Sequence, residues 1–189
     1  MATKETTEPL REGGRRVTSY IGPGYAGAIF GGPSSEYRYS LWRRFTSRDV
    51  APARMIAFIG LNPSTADEKK NDPTVERCVR RAQRLGHGGM LMMNAYAFRS
   101  TDPAGLKTAA DPLGPDNLTA LADVCRQVDT VVACWGVHCS EAHEWLICRM
   151  IGRPIHCLGR TKDGRPRHPL YLRNDQPLEV FWRPRGGDA

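Results

Sequence analysis

The sequence predicts an α/β fold: three αβα layers built around a central, mainly parallel four-stranded sheet. Three observations carry that expectation. Four short apolar runs, RMIAFIGLN (54–62), MLMMNAYAF (90–98), TVVACWG (130–136) and PIHCLG (154–159), have the profile of strands buried on both faces. Segments with helical periodicity separate them, and a strand–helix alternation calls for right-handed parallel crossovers. Polar residues collect where each apolar run ends, which is the edge where such sheets bind ligands.

The elements follow in order. Residues 1–36 mix Thr, Glu and Arg with the Gly/Pro-rich stretch IGPGYAGAIFGGPSS, so a flexible or loosely packed arm is expected there, with Tyr20, Tyr25 and Phe30 able to dock. The single domain then spans 37–184, and 185–189 form a tail. YRYSLWRRF (37–45) alternates as a half-buried strand does. After the first apolar run, Asp72 caps a helix with Pro73 in its first turn. Val75, Cys78, Val79, Ala82 and Leu85 form its apolar face, and Arg77, Arg80, Arg81 and Arg84 the opposite one. A second helix presents Leu118, Leu121, Ala122 and Cys125, and SEAHEWLICRMIG (140–152) is a third.

With 189 residues, one core can form without metal or disulfide staples. The 27 Lys and Arg exceed the 20 Asp and Glu, giving a charge of +7 and a pI near 9.3, which favours an anionic partner such as DNA. Six cysteines without a CxxC pair suggest reduced core thiols in a cytoplasmic protein. No cofactor and no metal is expected, and the spacing of His138 and His143 favours surface or packing roles. No apolar run approaches a membrane span, so no membrane partner is expected; protein partners are left open.

Three loops could carry chemistry. In GLNPST (60–65), Gly60 allows close backbone approach, and Pro63 holds Asn62 extended so that its amide can orient a water or a carbonyl. The same residues are also ordinary turn formers. In NAYAFRS (94–100), Asn94 can read the edge of a heterocycle, with Tyr96 and Arg99 nearby; a cap and a solvated Arg are the alternative. Residues 160–173 hold Arg160, Lys162, Arg165, Arg167 and Arg173 against one Asp, beside His168, Pro169, Leu170 and Tyr171. Such a loop offers charges for phosphates, an apolar wedge and an imidazole, or is simply solvated. Of Asp67, Glu68 and Asp72, one could act as general base or stabilise a developing oxocarbenium ion; Asp72 is better explained as the helix cap, which leaves Asp67 as the candidate, and Trp135 could line the pocket.

Through YRYSLWR, GLNPSTAD, NDPT, NAYAFRSTDP, DPLGP, WG and TKDGRPRHPLYL, the chain resembles a bacterial and phage family known only as a domain of unknown function. More remotely, the loop order resembles the uracil-DNA glycosylase superfamily: a Gly-x-Asn/Asp-Pro turn, an Asn after the next apolar strand and a late His-Pro loop. That resemblance implies a glycosylase-like fold. Asn62 would position the attacking water, Asn94 would bind a flipped pyrimidine with Gly60, Ser64, Thr65, Tyr96 and Trp135 around it, and His168 would stabilise the departing base. Pro169 to Tyr171 would form the wedge, and Arg99, Arg160, Lys162, Arg165 and Arg167 would hold DNA. Uracil-specific relatives commonly carry an aromatic residue where this chain has Ser64 and Thr65, which points to a modified, 5-substituted pyrimidine as well as a deaminated one. A nucleotide- or nucleoside-processing enzyme and a non-catalytic reader of modified nucleic acid are the alternatives.

Overall fold

A computed structural model describes residues 11–12, 15–16, 20–102 and 104–184. β1 (Arg11–Glu12) and β2 (Arg15–Arg16) form a short antiparallel pair. The main sheet takes β3 (Ala26–Gly31), β4 (Tyr37–Arg44), β5 (Met55–Gly60), β6 (Gly89–Asn94), β7 (Thr130–Ala133), β8 (Ile155–Cys157) and β9 (Glu179–Trp182). The helices are α1 (Pro73–Arg84), α2 (Gly105–Thr108), α3 (Asn117–Gln127) and α4 (Glu141–Ile151).

The four apolar runs form the parallel centre, in the order β6-β5-β7-β8. The sheet is wider than the four strands expected. β4 and then β3 extend it antiparallel beyond β6, and β9 extends it antiparallel beyond β8, making seven strands. Two of the added strands lie where the sequence carries no clear period. β3 sits inside the expected arm, and Tyr20 and Ile29 are buried with it, so residues 20–36 belong to the fold. Glycine is misleading there: a Cβ at Gly27 would fall inside the Trp42 indole, so this Gly seats a core tryptophan rather than loosening the chain. The remainder of the expected arm and the tail at 185–189 lie mostly or wholly outside the described residues.

Helices cover both faces. α1 packs Val75, Cys78 and Ala82 against Ile56, Phe58, Met90 and Met92. α3 and α4 pack Leu121, Val124, Cys125 and Ile147 against Ala57, Ile59, Leu91 and Met93. Successive side chains of β5 and β6 therefore enter opposite cores, which is why those strands read as continuous apolar runs. From β5 the chain leaves over one face through α1; from β7 it leaves over the other through α4. Neighbouring strands whose exits diverge leave a crevice between them.

Two expectations about polar faces are corrected. β4 is buried on both sides, Arg38 and Ser40 included: a register shift at Tyr39 puts Tyr39 and Leu41, expected on one face, into opposite cores, and the carbonyls of Ala66 and Tyr20 accept from Arg38 and Ser40. Arg81, expected on the solvent face of α1, is 2% exposed. Its guanidinium donates to the carbonyls of Leu172 (3.2 Å), Arg173 (2.6 Å) and Asn174 (3.5 Å), tying the late loop to the helix. Arg81→Met should strand these acceptors and cost roughly 1–3 kcal/mol, measured by urea denaturation; an unchanged midpoint would show that the loop is held by something else.

Candidate functional site

A cleft of about 410 Å³ opens over the C-terminal ends of β5, β6 and β7, within the range of roughly 300–1,000 Å³ typical of small-molecule sites. Its walls come from separate stretches: Gly60 to Ser64 after β5, Asp72 to Val75 at the start of α1, Asn94 ending β6, and Ser100 and Thr101. Trp135 to His138 after β7, together with Thr161, Arg167, His168 and Tyr171, complete it.

Main-chain bonds continue the parallel ladders beyond the strands and fix these loops. Ala95 N–H donates to Gly60 O (2.8 Å), Tyr96 N–H to Leu61 O (2.9 Å), and Cys134 N–H to Ile59 O (2.9 Å). The first two loops are stitched reciprocally: Ser100 N–H donates to Pro63 O (2.9 Å), and Asn62 Nδ2 donates to Ser100 O (2.8 Å) and Pro63 O (3.1 Å). With Nδ2 so engaged, Oδ1 is the face of Asn62 left to accept from a ligand or water.

The floor is Asn94, only 3% exposed. Arg38, 2% exposed on β4, donates from Nη2 to Asn94 Oδ1 (3.1 Å) and from Nη1 to Ala66 O (2.9 Å). The amide is thereby oriented with Nδ2 beside Gly60, where a Cβ would stand 3.1 Å away. Gly60 is therefore required for close approach. Asn117, fully buried at the start of α3, supports the floor from behind by donating to Asn94 O (3.1 Å) and Ala95 O (2.9 Å). Burial lowers the Arg38 pKa to about 10; Asp72 opposes the shift, while Arg99 and Arg43 add to it. The group stays charged at neutral pH.

On the opposite wall His168 precedes a single 3-10 turn, Pro169–Tyr171, and its Nδ1 accepts from Leu170 N–H (3.4 Å). The neutral ring then carries its proton on Nε2. Burial pulls the His168 pKa below 6.5, with Asp72 working against the shift. At pH 7 it is a neutral donor.

The structure thus brings Asn62, Asn94, His168, Gly60, Ser64, Trp135, Arg167 and Tyr171 together, and leaves other candidates elsewhere. Asp67 is outside the cleft wall. Its carboxylate accepts from Lys69 and Lys70 N–H in a tight turn, and the Lys70 contact, ahead of the Lys69 one, lowers its pKa. Asp72, better explained from the sequence as a helix cap, is the carboxylate in the wall, and it also caps α1 by accepting from Val75 N–H (2.8 Å). Thr65 is exposed outside the wall. Tyr96 stacks on His143 (4.7 Å between centroids) and lines a neighbouring shallow pocket that reaches the cleft at His138. Trp135 is buried, donating from Nε1 to Glu144 (2.7 Å), so it presents an edge of the wall rather than a free stacking surface.

The basic candidates divide. Arg160 bonds the carbonyls of Val180 and Phe181 and pairs with Glu179 (3.4 Å); Arg165 pairs with Glu144 (3.5 Å) and bonds Cys139 O; Arg99 bonds Ser35 O and lies over the Phe30 ring. Arg167 and Lys162 are exposed. Pro169 is buried, Leu170 is exposed, and Tyr171 (75% exposed) and Val137 (54% exposed) both line the cleft.

Among the described residues no group of three or more His, Cys, Asp or Glu could hold a metal ion, and no helix is long and apolar enough to cross a membrane. All six cysteines are unpaired and buried.

A family model described as a protein of unknown function, DUF1643, matches residues 38–170. The chain belongs to this family. The matched stretch contains all but one of the cleft residues, Tyr171 lying just beyond it. No curated protein and no solved structure matches this DUF1643 chain.

Asn117 tests how the floor is built. Asn117→Ala leaves two buried carbonyls without their donor and should cost roughly 1–3 kcal/mol. Hydrogen exchange should show the Ala95 and Tyr96 amides, just beyond β6, losing protection before those of the strand itself. Uniform loss across the sheet would instead assign Asn117 a global role.

Proposed function

We propose that this protein is a DNA glycosylase that takes a flipped, modified or deaminated pyrimidine into the cleft and hydrolyses its N-glycosidic bond. One observation carries the reading: Asn62, Asn94 and His168, from three separate strand-exit loops, line one cleft at the diverging exits of β5 and β7. An oriented acceptor, a pinned amide and a neutral imidazole donor are the parts such a hydrolysis needs. The loop order resembling the uracil-DNA glycosylase superfamily supports the same reading.

In this mechanism Asn62 Oδ1 accepts a hydrogen bond from the attacking water, whose oxygen bonds to C1′ as the C1′–N bond breaks. The bond's electron pair leaves with the base. Asp72 takes the water's proton, and His168 Nε2–H donates to the developing base anion while Arg38 lends positive potential from below. Tyr171 and Val137 at the lip replace the contacts that the base loses on leaving the stack. Ser64, short and polar in the wall, leaves room for a substituent on the ring.

Duplex and single-stranded oligonucleotides bearing uracil, thymine opposite guanine, or 5-substituted pyrimidines, followed by alkali, test the activity. Strand breaks at one of these bases, abolished by Asn62→Ala, are expected. Intact strands throughout would overturn the proposal.

His168 gives a second test. Removing a donor to a developing anion costs on the order of 10²–10³ in rate. His168→Ala should show such a loss, and His168→Asn, which keeps a donor, a smaller one. Because the neutral ring acts, and its pKa lies below 6.5, wild-type activity should not decline between pH 6.5 and 8. A tenfold fall per pH unit there would mean that the imidazolium is the active form.

A nucleoside-processing enzyme is the second reading, favoured by one observation: Arg99, Arg160 and Arg165 are spent on internal bonds. Binding through a phosphate backbone weakens steeply with salt. Salt-insensitive binding would select the smaller substrate.

A further inference from the structure

Arg38 carries no local mark in the sequence, and its surroundings are unusual for a buried cation. No carboxylate among the described residues pairs with it within 4 Å. Its identified partners are a main-chain carbonyl and the oxygen of Asn94, and its Nε, buried, has no partner at all. Leaving a charge so poorly compensated is costly. A less demanding residue could fill the volume.

The consequence lies in the amide beyond it. An Asn side chain can turn over and offer either oxygen or nitrogen to a ligand. A guanidinium is a donor in every protonation state it reaches in a protein, so Asn94 must face it with Oδ1. Nδ2 then lies on the Gly60 side, in the cleft floor, and no protein acceptor is assigned to it. The floor presents N–H hydrogens.

We propose that Arg38 is a positioning residue that locks the Asn94 amide and so makes the cleft select a ring edge bearing a carbonyl oxygen, a 4-keto pyrimidine, over one bearing an amino group. The inference rests on the nucleobase reading above and sharpens it. Among 5-substituted pyrimidines, uracil-type rings fit, whereas cytosine-type rings set two donors against each other. A fixed positive charge behind the amide strengthens the same choice, since it attracts an oxygen and repels an N–H hydrogen.

Paired binding measurements test the lock. The probes are two single-stranded oligonucleotides that differ at one position, dU or dC, each on a 2′-fluoroarabino sugar that resists hydrolysis. The wild-type protein should bind the dU strand about tenfold or more tightly. Arg38→Met, which lets the amide turn, should bring the two affinities close together, and Arg38→Lys, which keeps a donor to Oδ1, should restore the preference. On ligand-free protein, the Asn94 side-chain NH₂ resonances should move in Arg38→Met and return toward wild type in Arg38→Lys. Equal wild-type affinities overturn the proposal, as does a preference that Arg38→Met leaves unchanged. Keto-selective binding without excision of any base sinks the hydrolytic reading and leaves this one standing; excision without edge preference sinks this one alone; and wild-type protein that binds neither strand sinks both.

Discussion

The hydrogen bond from the Arg38 guanidinium to Asn94 Oδ1 joins β4 to the end of β6 at the bottom of the cleft, and a second bond from the same group to Ala66 O brings in the loop that leaves β5. Beside it on β4, Arg43 donates to Asn71 Oδ1 and Asp67 O, so the whole stretch from 66 to 71 is held by two arginines rather than by secondary structure. That arrangement positions Asp72, and with it the start of α1. Buried cations satisfied by carbonyl oxygens are an expensive way to fix a loop. The return is a wall whose polar atoms have one orientation each.

How much of this was legible depended on whether a residue's role was set locally. β5, β6 and β7 were plain in the sequence because a strand covered on both faces must be apolar at every position. α1 was plain from Asp72, Pro73 and its apolar spacing. β3 was not, since its glycines read as linker while their purpose lies in the Trp42 ring. β9 was not, because EVFW gives four residues with no period to count. The alternation of Tyr37, Tyr39 and Leu41 did not carry through β4, because the register shifts at Tyr39, placing Tyr39 and Leu41 in different cores, and the carbonyls of Ala66 and Tyr20 meet the buried Arg38 and Ser40.

The same division runs through the candidate site. Asn62, Asn94 and His168 stand at strand exits or next to a proline, positions that local chemistry marks, and the fold puts them on one cleft. Arg38 and Asn117 act through tertiary partners far away in sequence and carried no local mark. Net charge misled in its own way. A formal +7 suggests an open basic surface, yet Arg43, Arg81, Arg99, Arg153, Arg160 and Arg165 all donate to main-chain carbonyls. Arginine's planar fork suits that stapling better than a lysine ammonium does, so much of the charge excess here is internal scaffolding.

A cleft built this way constrains how a ligand arrives. Its floor is tied by ladder bonds, by the Asn62–Ser100 stitch and by Arg38 and Asn117, and closing it around a ligand would mean breaking several of those bonds at once. Val137 and Tyr171, exposed apolar and aromatic groups, stand in the cleft wall, with Leu170 next to Tyr171 in the chain. Preorganised polar groups in a rigid floor gain most from a ligand delivered in one pose. If the ligand is one ring of a larger molecule, as proposed, that molecule would lie at the rim, where aromatic and apolar groups can replace stacking that an extruded ring gives up. Under the proposed base-excision reading, a rigid floor and an apolar rim serve one end: taking in one ring of a polymer without admitting the polymer itself.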